Sequence, residues 1–299
     1  MSVARRIGQS GVFPVILGGA VWGGLMLLQS GISGPRVIAG VFFAVLTLTT
    51  ALEWASPYDA RWRPGFQDFL TDLGFYFLQF FTKSGLQVGA LLATGLLNQH
   101  FGWFDAVRVV PAWVRVAGAF FLADLAKYAL HRASHEIPGL WKFHQIHHLP
   151  RKLNGLNSLR SHPVNVAWLV LPEIVFSLLL GLKGAEVVGL GLFRGTLSIL
   201  QHATFRMRLS PWSQVFATPD RHKWHHSILV REANTNYGSA LIVWDRFFGT
   251  LYVESGQPED LGVAQSPGVA RDHSLLSQLA GPFLPNRPVS SAGVQHVAG

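Results

Sequence analysis

Six stretches of this 299-residue chain, roughly 11–29, 36–54, 72–97, 110–130, 164–182 and 185–202, are mostly apolar. A helix crossing a bilayer needs about 20 such residues. The runs therefore point to an all-α integral membrane protein, a helical transmembrane bundle. Composition agrees: charged residues are 13% and hydrophobic ones 49%, against about 25% charge in ordinary soluble domains. Lys83 interrupts the third run, and Asp124 and Lys127 interrupt the fourth. Lys183 and Gly184 join the last two runs in a predicted tight hairpin.

Charge placement predicts orientation. With Arg5 and Arg6 in the cytoplasm, six spans put Arg61, Arg63, Arg132, Lys142, Arg151, Lys152 and Arg160 inside. Arg206, Arg208, Arg221, Lys223 and Arg231 follow them, leaving Arg36, Arg108 and Lys183 outside. This is the positive-inside pattern. The net charge of +8 sits beside apolar runs, which favours a membrane surface and argues against nucleic acid. The expected division is an N-terminal transmembrane region at 1–109, a histidine-rich region with further spans at 110–255, and a tail at 256–299. The tail is rich in Gly, Pro, Ser and Gln and reads as loose and cytoplasmic.

Histidine is concentrated in three places: HRASH at 131–135, HQIHH at 144–148 and HKWHH at 222–226. Residues three or four apart share one helical face. His131 and His135 can thus aim at one ion, as can His144 with His147 or His148, and His222 with His225 or His226. His162 precedes the fifth run and His202 closes the sixth. The topology brings all ten to one membrane face, a cytoplasmic histidine-rich cap. Neutral imidazole suits zinc, copper, iron and nickel. Ten donors exceed the four to six that one ion commonly uses, so two metals are the economical reading. His100 falls in an outer loop, and His273 and His296 lie in the tail; these three are expected to be dispensable. The chain has no Cys, which excludes disulfides, zinc–thiolate sites and cysteine-ligated iron–sulfur clusters.

Together HRASH, LWKFHQIHH, NSLRSHP, TPDRHKWHH, NTNYG and WDRFFGT resemble the fatty acid hydroxylase superfamily, which includes sterol desaturases. The resemblance covers roughly 115–255. It implies a membrane di-iron oxygenase using O2 and electrons. It also implies that His131, His135, His144, His147, His148, His162, His202, His222, His225 and His226 hold two iron ions, with zinc able to replace iron in purified protein. A membrane lipid, an acyl chain or sterol-like molecule, is the implied substrate. Electrons would come from a separate donor, because no carrier domain is visible. Hydroxylation and desaturation both remain open on one ligand set. A zinc-dependent hydrolase is disfavoured because no HExxH motif is present. A nonenzymatic metal-binding protein is the remaining alternative.

Asp124 lies seven residues before His131. It is read either as hydrogen-bonding a ligand imidazole or as pairing with Lys127. Asp245, in WDRFFGT, has the same supporting role available. Asn234, Asn236 and Tyr237 are expected to organise a turn, and Trp141 and Trp224 to pack or anchor at an interface. Glu173 and Arg194 lie about ten residues from the hairpin turn on opposite arms, at similar depth. An isolated charge there is costly, so an ion pair is expected. Arg194 holding a lipid headgroup is the functional alternative.

Overall fold

The computed structural model describes residues 3–102, 107, 109–207, 211–263 and 274–284. Arg108, Arg208, His273 and His296 lie outside the described residues. Among those described, the regular structure is all helix, with three isolated bridges and no strand.

Helix α1 (Val3–Gln29) and α2 (Gly34–Ala55) form a hairpin. Gly31, at φ 91°, makes its turn, a conformation that favours residues lacking a Cβ. Among the described residues, two helices are long and apolar enough to cross a membrane, at Gly11–Gln29 and Gly34–Ala55. Their inner faces bury Phe13, Leu17, Val37, Val41 and Val45 against Leu192, Leu197 and Leu200. The approach is close: a Cβ on Gly24 would collide with Leu192, and one on Gly195 with Phe42. Small residues serve such helix contacts in membranes.

Helix α3 (Phe66–Phe101) has 36 residues, about 54 Å at 1.5 Å per residue. α4 (Ala112–Glu136) stops before Pro138, which opens α5 (Pro138–His148). Proline cannot donate the hydrogen bond that continuation needs, but fits a first helical turn. The chain therefore bends between HRASH and HQIHH. α6 (Pro163–Leu179) and α7 (Ala185–His202) follow. All six apolar runs of the sequence are thus helical, but among the described residues only α1 and α2 combine the length and apolarity needed to cross a membrane, against the six spans expected.

The cap comprises α8 (Pro219–His225), α9 (Val230–Ala233) and α10 (Val243–Phe247), with α11 (Leu275–Ala280) beyond them. The expected looseness after residue 255 needs correction where the chain is described. Gly262 donates to the His226 carbonyl at 3.0 Å, and Ile228 to that of Asp260. Leu261 is buried with Trp62 and Leu153.

Four charged residues of α4, α6 and α7 form one network. Glu173 accepts from Lys127 at 2.7 Å and lies 3.6 Å from Arg194. Arg194 also reaches Asp124 at 3.4 Å and donates to the Phe120 carbonyl at 2.6 Å. The expected Glu173–Arg194 pair is present, but each partner has a shorter tie elsewhere. Lys127 pairs with Glu173, not with Asp124.

Candidate metal centre

Each histidine box is helical, so its spacing becomes a shared face. His131 and His135 are one turn apart on α4. His144, His147 and His148 end α5, His202 ends α7, and His222, His225 and His226 lie on α8 or cap it. Tertiary packing sorts them into two groups. His131, His135, His144, His148 and His225 form one; His147, His202, His222 and His226 form the other. Within each group the candidate donor atoms all lie within 4.8 Å of one another.

The spacings fit an ion at each centre. In the first group, Nε2 of His144 is 3.1 Å from those of His131 and His135 and 3.2 Å from that of His148. His225 and His131 face each other at 3.0 Å. In the second, His202 is 3.3 Å from His147 and 3.2 Å from His222, and His226 is 3.2 Å from His222. Two nitrogens at right angles on one ion, each bound at about 2.1 Å, would be about 3.0 Å apart.

Hydrogen bonding at the far ring nitrogens decides the tautomers. Nδ1 of His131 donates to the Tyr237 carbonyl at 2.7 Å, and that of His225 to the Thr235 carbonyl at 2.8 Å. His147 donates to the Arg160 carbonyl and His202 to that of Ser198, both at 3.1 Å. A carbonyl only accepts, so these neutral rings carry their proton on Nδ1 and a lone pair on Nε2. His131 and His225 therefore face lone pair to lone pair, as do His147 and His202. A cation between them turns both repulsions into bonds. Nδ1 of His135 bonds Asn234 Oδ1, and that of His144 bonds Asn165 Oδ1, each at 3.1 Å. Such outer contacts orient metal-binding imidazoles and fix their tautomer.

Burial keeps the rings neutral. Desolvation lowers His147 to about 4. Desolvation, then repulsion from neighbouring histidines, holds His144, His148, His222, His225 and His226 well below the usual imidazole range.

Three expectations change. His162 joins neither group. Its Nδ1 accepts from the Val164 amide at 3.1 Å, capping α6, and its Nε2 donates to the Leu279 carbonyl at 3.3 Å. Asp124 touches no imidazole: besides Arg194 it accepts from the amides of Ala240 and Leu241 and from Trp244 Nε1. Asp245 acts at one remove, accepting from the Tyr237 and Gly238 amides at 2.7 and 2.8 Å. It thereby holds the loop whose Tyr237 carbonyl receives His131. Burial raises its carboxyl to about 6 against these bonds.

The NTNYG turn is closed by Asn236, which adopts φ 53° and bonds the backbone of Arg221 and Tyr252. It does more than turn the chain, because Asn234, Thr235 and Tyr237 each supply an acceptor to a different imidazole. Those acceptors, with Asn165 and the Arg160 carbonyl, went unrecognised in the sequence. Asn165, three residues after His162, was the most accessible signal; a carbonyl leaves none. Arg160 is itself held by Asp72 in a buried ion pair at 2.7 Å. Trp141 packs on His135 with ring centroids 5.1 Å apart, and Trp224 on Tyr252. His100 is exposed near the end of α3.

A helical chain with two apolar hairpin helices and two convergent imidazole groups has the build of a membrane-associated histidine-box protein. A family model described as fatty acid hydroxylase matches residues 116–250, a range containing all nine clustered histidines. Residues 116–250 are thus similar to the fatty acid hydroxylase family, and the following relatives support an oxygenase of that superfamily. It is 28% identical over 256 residues to the ornithine lipid hydroxylase OlsE of Rhizobium tropici, covering 81% of this chain and 74% of that protein. The alkylglycerol monooxygenase of Danio rerio is 32% identical over 138 residues, 46% of this chain and 30% of that protein. The human alkylglycerol monooxygenase is 29% identical over 139 residues, likewise 46% and 30%. The chain thus spans less than a third of either alkylglycerol monooxygenase. No solved structure matches it.

Proposed function

We propose that this protein hydroxylates a C–H bond of a polar membrane lipid, reducing O2 with two iron ions held by the nine clustered histidines. The carrying observation is the pair of facing Nε2 lone pairs, one in each group, which calls for a cation at both. The five-histidine group would hold one ion and the four-histidine group the other. When bound, iron supplies the redox chemistry that zinc lacks. The overall change is R–H + O2 + two electrons + two protons → R–OH + water.

The protein's own share is positioning. Four backbone carbonyls and two asparagines fix six imidazoles before any ion arrives, so little reorganisation remains at the moment of reaction. The cavity beside them is walled by Val166, Leu169 and Val170 as well as the imidazoles. It can hold a lipid carbon near the site and limit water there.

The remaining assignments belong to the same proposal. Residues 1–109 provide the membrane anchor, 110–255 the catalytic region and 256–299 a cytoplasmic tail. The histidine cap faces the cytoplasm, where an external donor delivers electrons to a basic surface. A lipid with an amino-acid headgroup is the first substrate to test, given the relative named an ornithine lipid hydroxylase. The experiment is lipid mass spectrometry of cells with and without the protein, under ¹⁸O2. A lipid carrying one ¹⁸O atom is expected. A product short of two hydrogens would instead identify a desaturase, and no lipid change in metal-replete, electron-supplied protein would reject the oxygenation chemistry.

A further inference from the structure

The cavity beside the histidines also reaches three cations. It has a volume of about 120 Å³ and is lined by His131, His144, His147 and His202 together with Lys83, Lys127 and Arg194. Lys127 lies one turn before His131 on α4, and Arg194 two turns before His202 on α7. Along the helix axes these offsets are about 6 and 12 Å. Both displace the cations to the side of the histidines away from the cap helices.

The charges do not balance. Glu173 and Asp124 are the carboxylates of this network, and they are taken by Lys127 at 2.7 Å and Arg194 at 3.4 Å. Lys83 lies within electrostatic range of Lys127 and Glu173, yet makes no hydrogen bond or ion pair among the described residues. An ionisable side chain left without a partner among apolar helices is costly to keep. One turn earlier on the same face of α3 is Gln79. Its Nε2 is pinned to the Leu159 carbonyl at 2.7 Å, while its buried Oε1 has no partner. The cavity thus presents an unmatched cation and an unmatched acceptor side by side. Access exists at this end, because the side chains of Lys127 and Glu173 keep 20% and 26% of their exposure.

Building on the hydroxylase reading, we propose that Lys83, seconded by Lys127, binds an anionic group of the lipid substrate. That group is a carboxylate or a phosphate, and Gln79 Oε1 accepts a hydrogen bond from a donor beside it. Lys127, which seconds Lys83, lies about 6 Å before His131 along α4, so the oxidised carbon lies only a few bonds from the anion. Hydroxylation falls on the headgroup or the first carbons of the chain, away from the chain terminus.

The test uses zinc-loaded protein in detergent, so that binding is read without turnover. The probes are N-palmitoylglycine, its uncharged methyl ester, and palmitoyl lysophosphatidate. The wild type is expected to bind at least one anionic probe about tenfold more tightly than the ester, the lower range for a charge-assisted hydrogen bond. The favoured probe identifies carboxylate or phosphate. In Lys83→Met the favoured anion should bind no better than the ester, with both metals retained; Lys83→Arg should keep most of the preference. Equal binding of all probes by the wild type, or a preference that survives Lys83→Met, overturns the subsite. Should Lys83→Met fail to fold, the wild-type preference and Lys83→Arg still decide. Incorporation of ¹⁸O without discrimination between acid and ester would refute the subsite alone. An intact binding preference with no turnover of any lipid by iron-loaded, reduced protein would refute the hydroxylase reading alone.

Discussion

Replacing Asn165 with Leu tests whether the outer hydrogen bonds shape the metal centre. Asn165 Oδ1 receives His144 Nδ1 at 3.1 Å, and both residues are buried. His144 is central to its group, since its Nε2 lies 3.1–3.2 Å from those of His131, His135 and His148. Leucine has similar bulk and no acceptor. The buried Nδ1–H would then lack a partner, at about 1–3 kcal/mol, and the ring would gain by moving its proton to Nε2. Either effect weakens one donor of the five-histidine centre only. The expected loss is about 10–100-fold in affinity for that ion, or about 1.4–2.8 kcal/mol. Chelator competition on purified protein, followed by metal analysis, would show two ions leaving the wild type over a narrow range. In Asn165→Leu one ion should leave early and the second at the wild-type concentration. Asn165→Asp, which keeps an acceptor, should hold both. Coincident loss of both ions at wild-type chelator levels in Asn165→Leu would refute the reasoning.

His162→Ala should keep both ions, because its nitrogens serve Val164 and Leu279; thermal unfolding should show a loss of about 1 kcal/mol from the missing helix cap. His147→Ala or His225→Ala should instead remove metal and abolish activity, while His100→Ala, altering an exposed ring, should change neither. Acidification should destabilise metal-free protein between about pH 6.5 and 4. The His147 ring is lowered from 6.5 to about 4 on folding, so the unfolded chain takes up its proton first and stability falls with pH through that window; a metal-free unfolding curve flat across it would contradict buried neutral rings. In a double-mutant cycle, Glu173→Gln and Arg194→Gln should combine to less than the sum of their losses, with Arg194→Gln the more severe because it also strips Asp124 of its cation; strictly additive stabilities would mean the 3.6 Å approach carries no energy.

What the sequence determined by itself was local. A helix places residues four apart on one face whatever surrounds it, so each histidine box could be read as a set of ligands. The length and apolarity of 11–29 and 36–54 likewise announced their helices. Seven residues, by contrast, are two turns and about 10.5 Å of axis, so Asp124 shared a face with His131 yet reached the amides of Ala240 and Leu241 instead of an imidazole. His162 looked like a tenth ligand because chain position brought it to the same face as the others. Its direction depended on how α6 starts and where Leu279 docks, which no spacing encodes. The division into groups of five and four, separating His147 from its neighbours His144 and His148, likewise awaited the packing of α5 between α4, α7 and α8. The carbonyls of Arg160, Thr235 and Tyr237 were invisible in advance, since every residue has a carbonyl and only tertiary contact aims one at a ring nitrogen. Local periodicity is a property of one segment, whereas convergence, tautomer and charge balance depend on which segments meet.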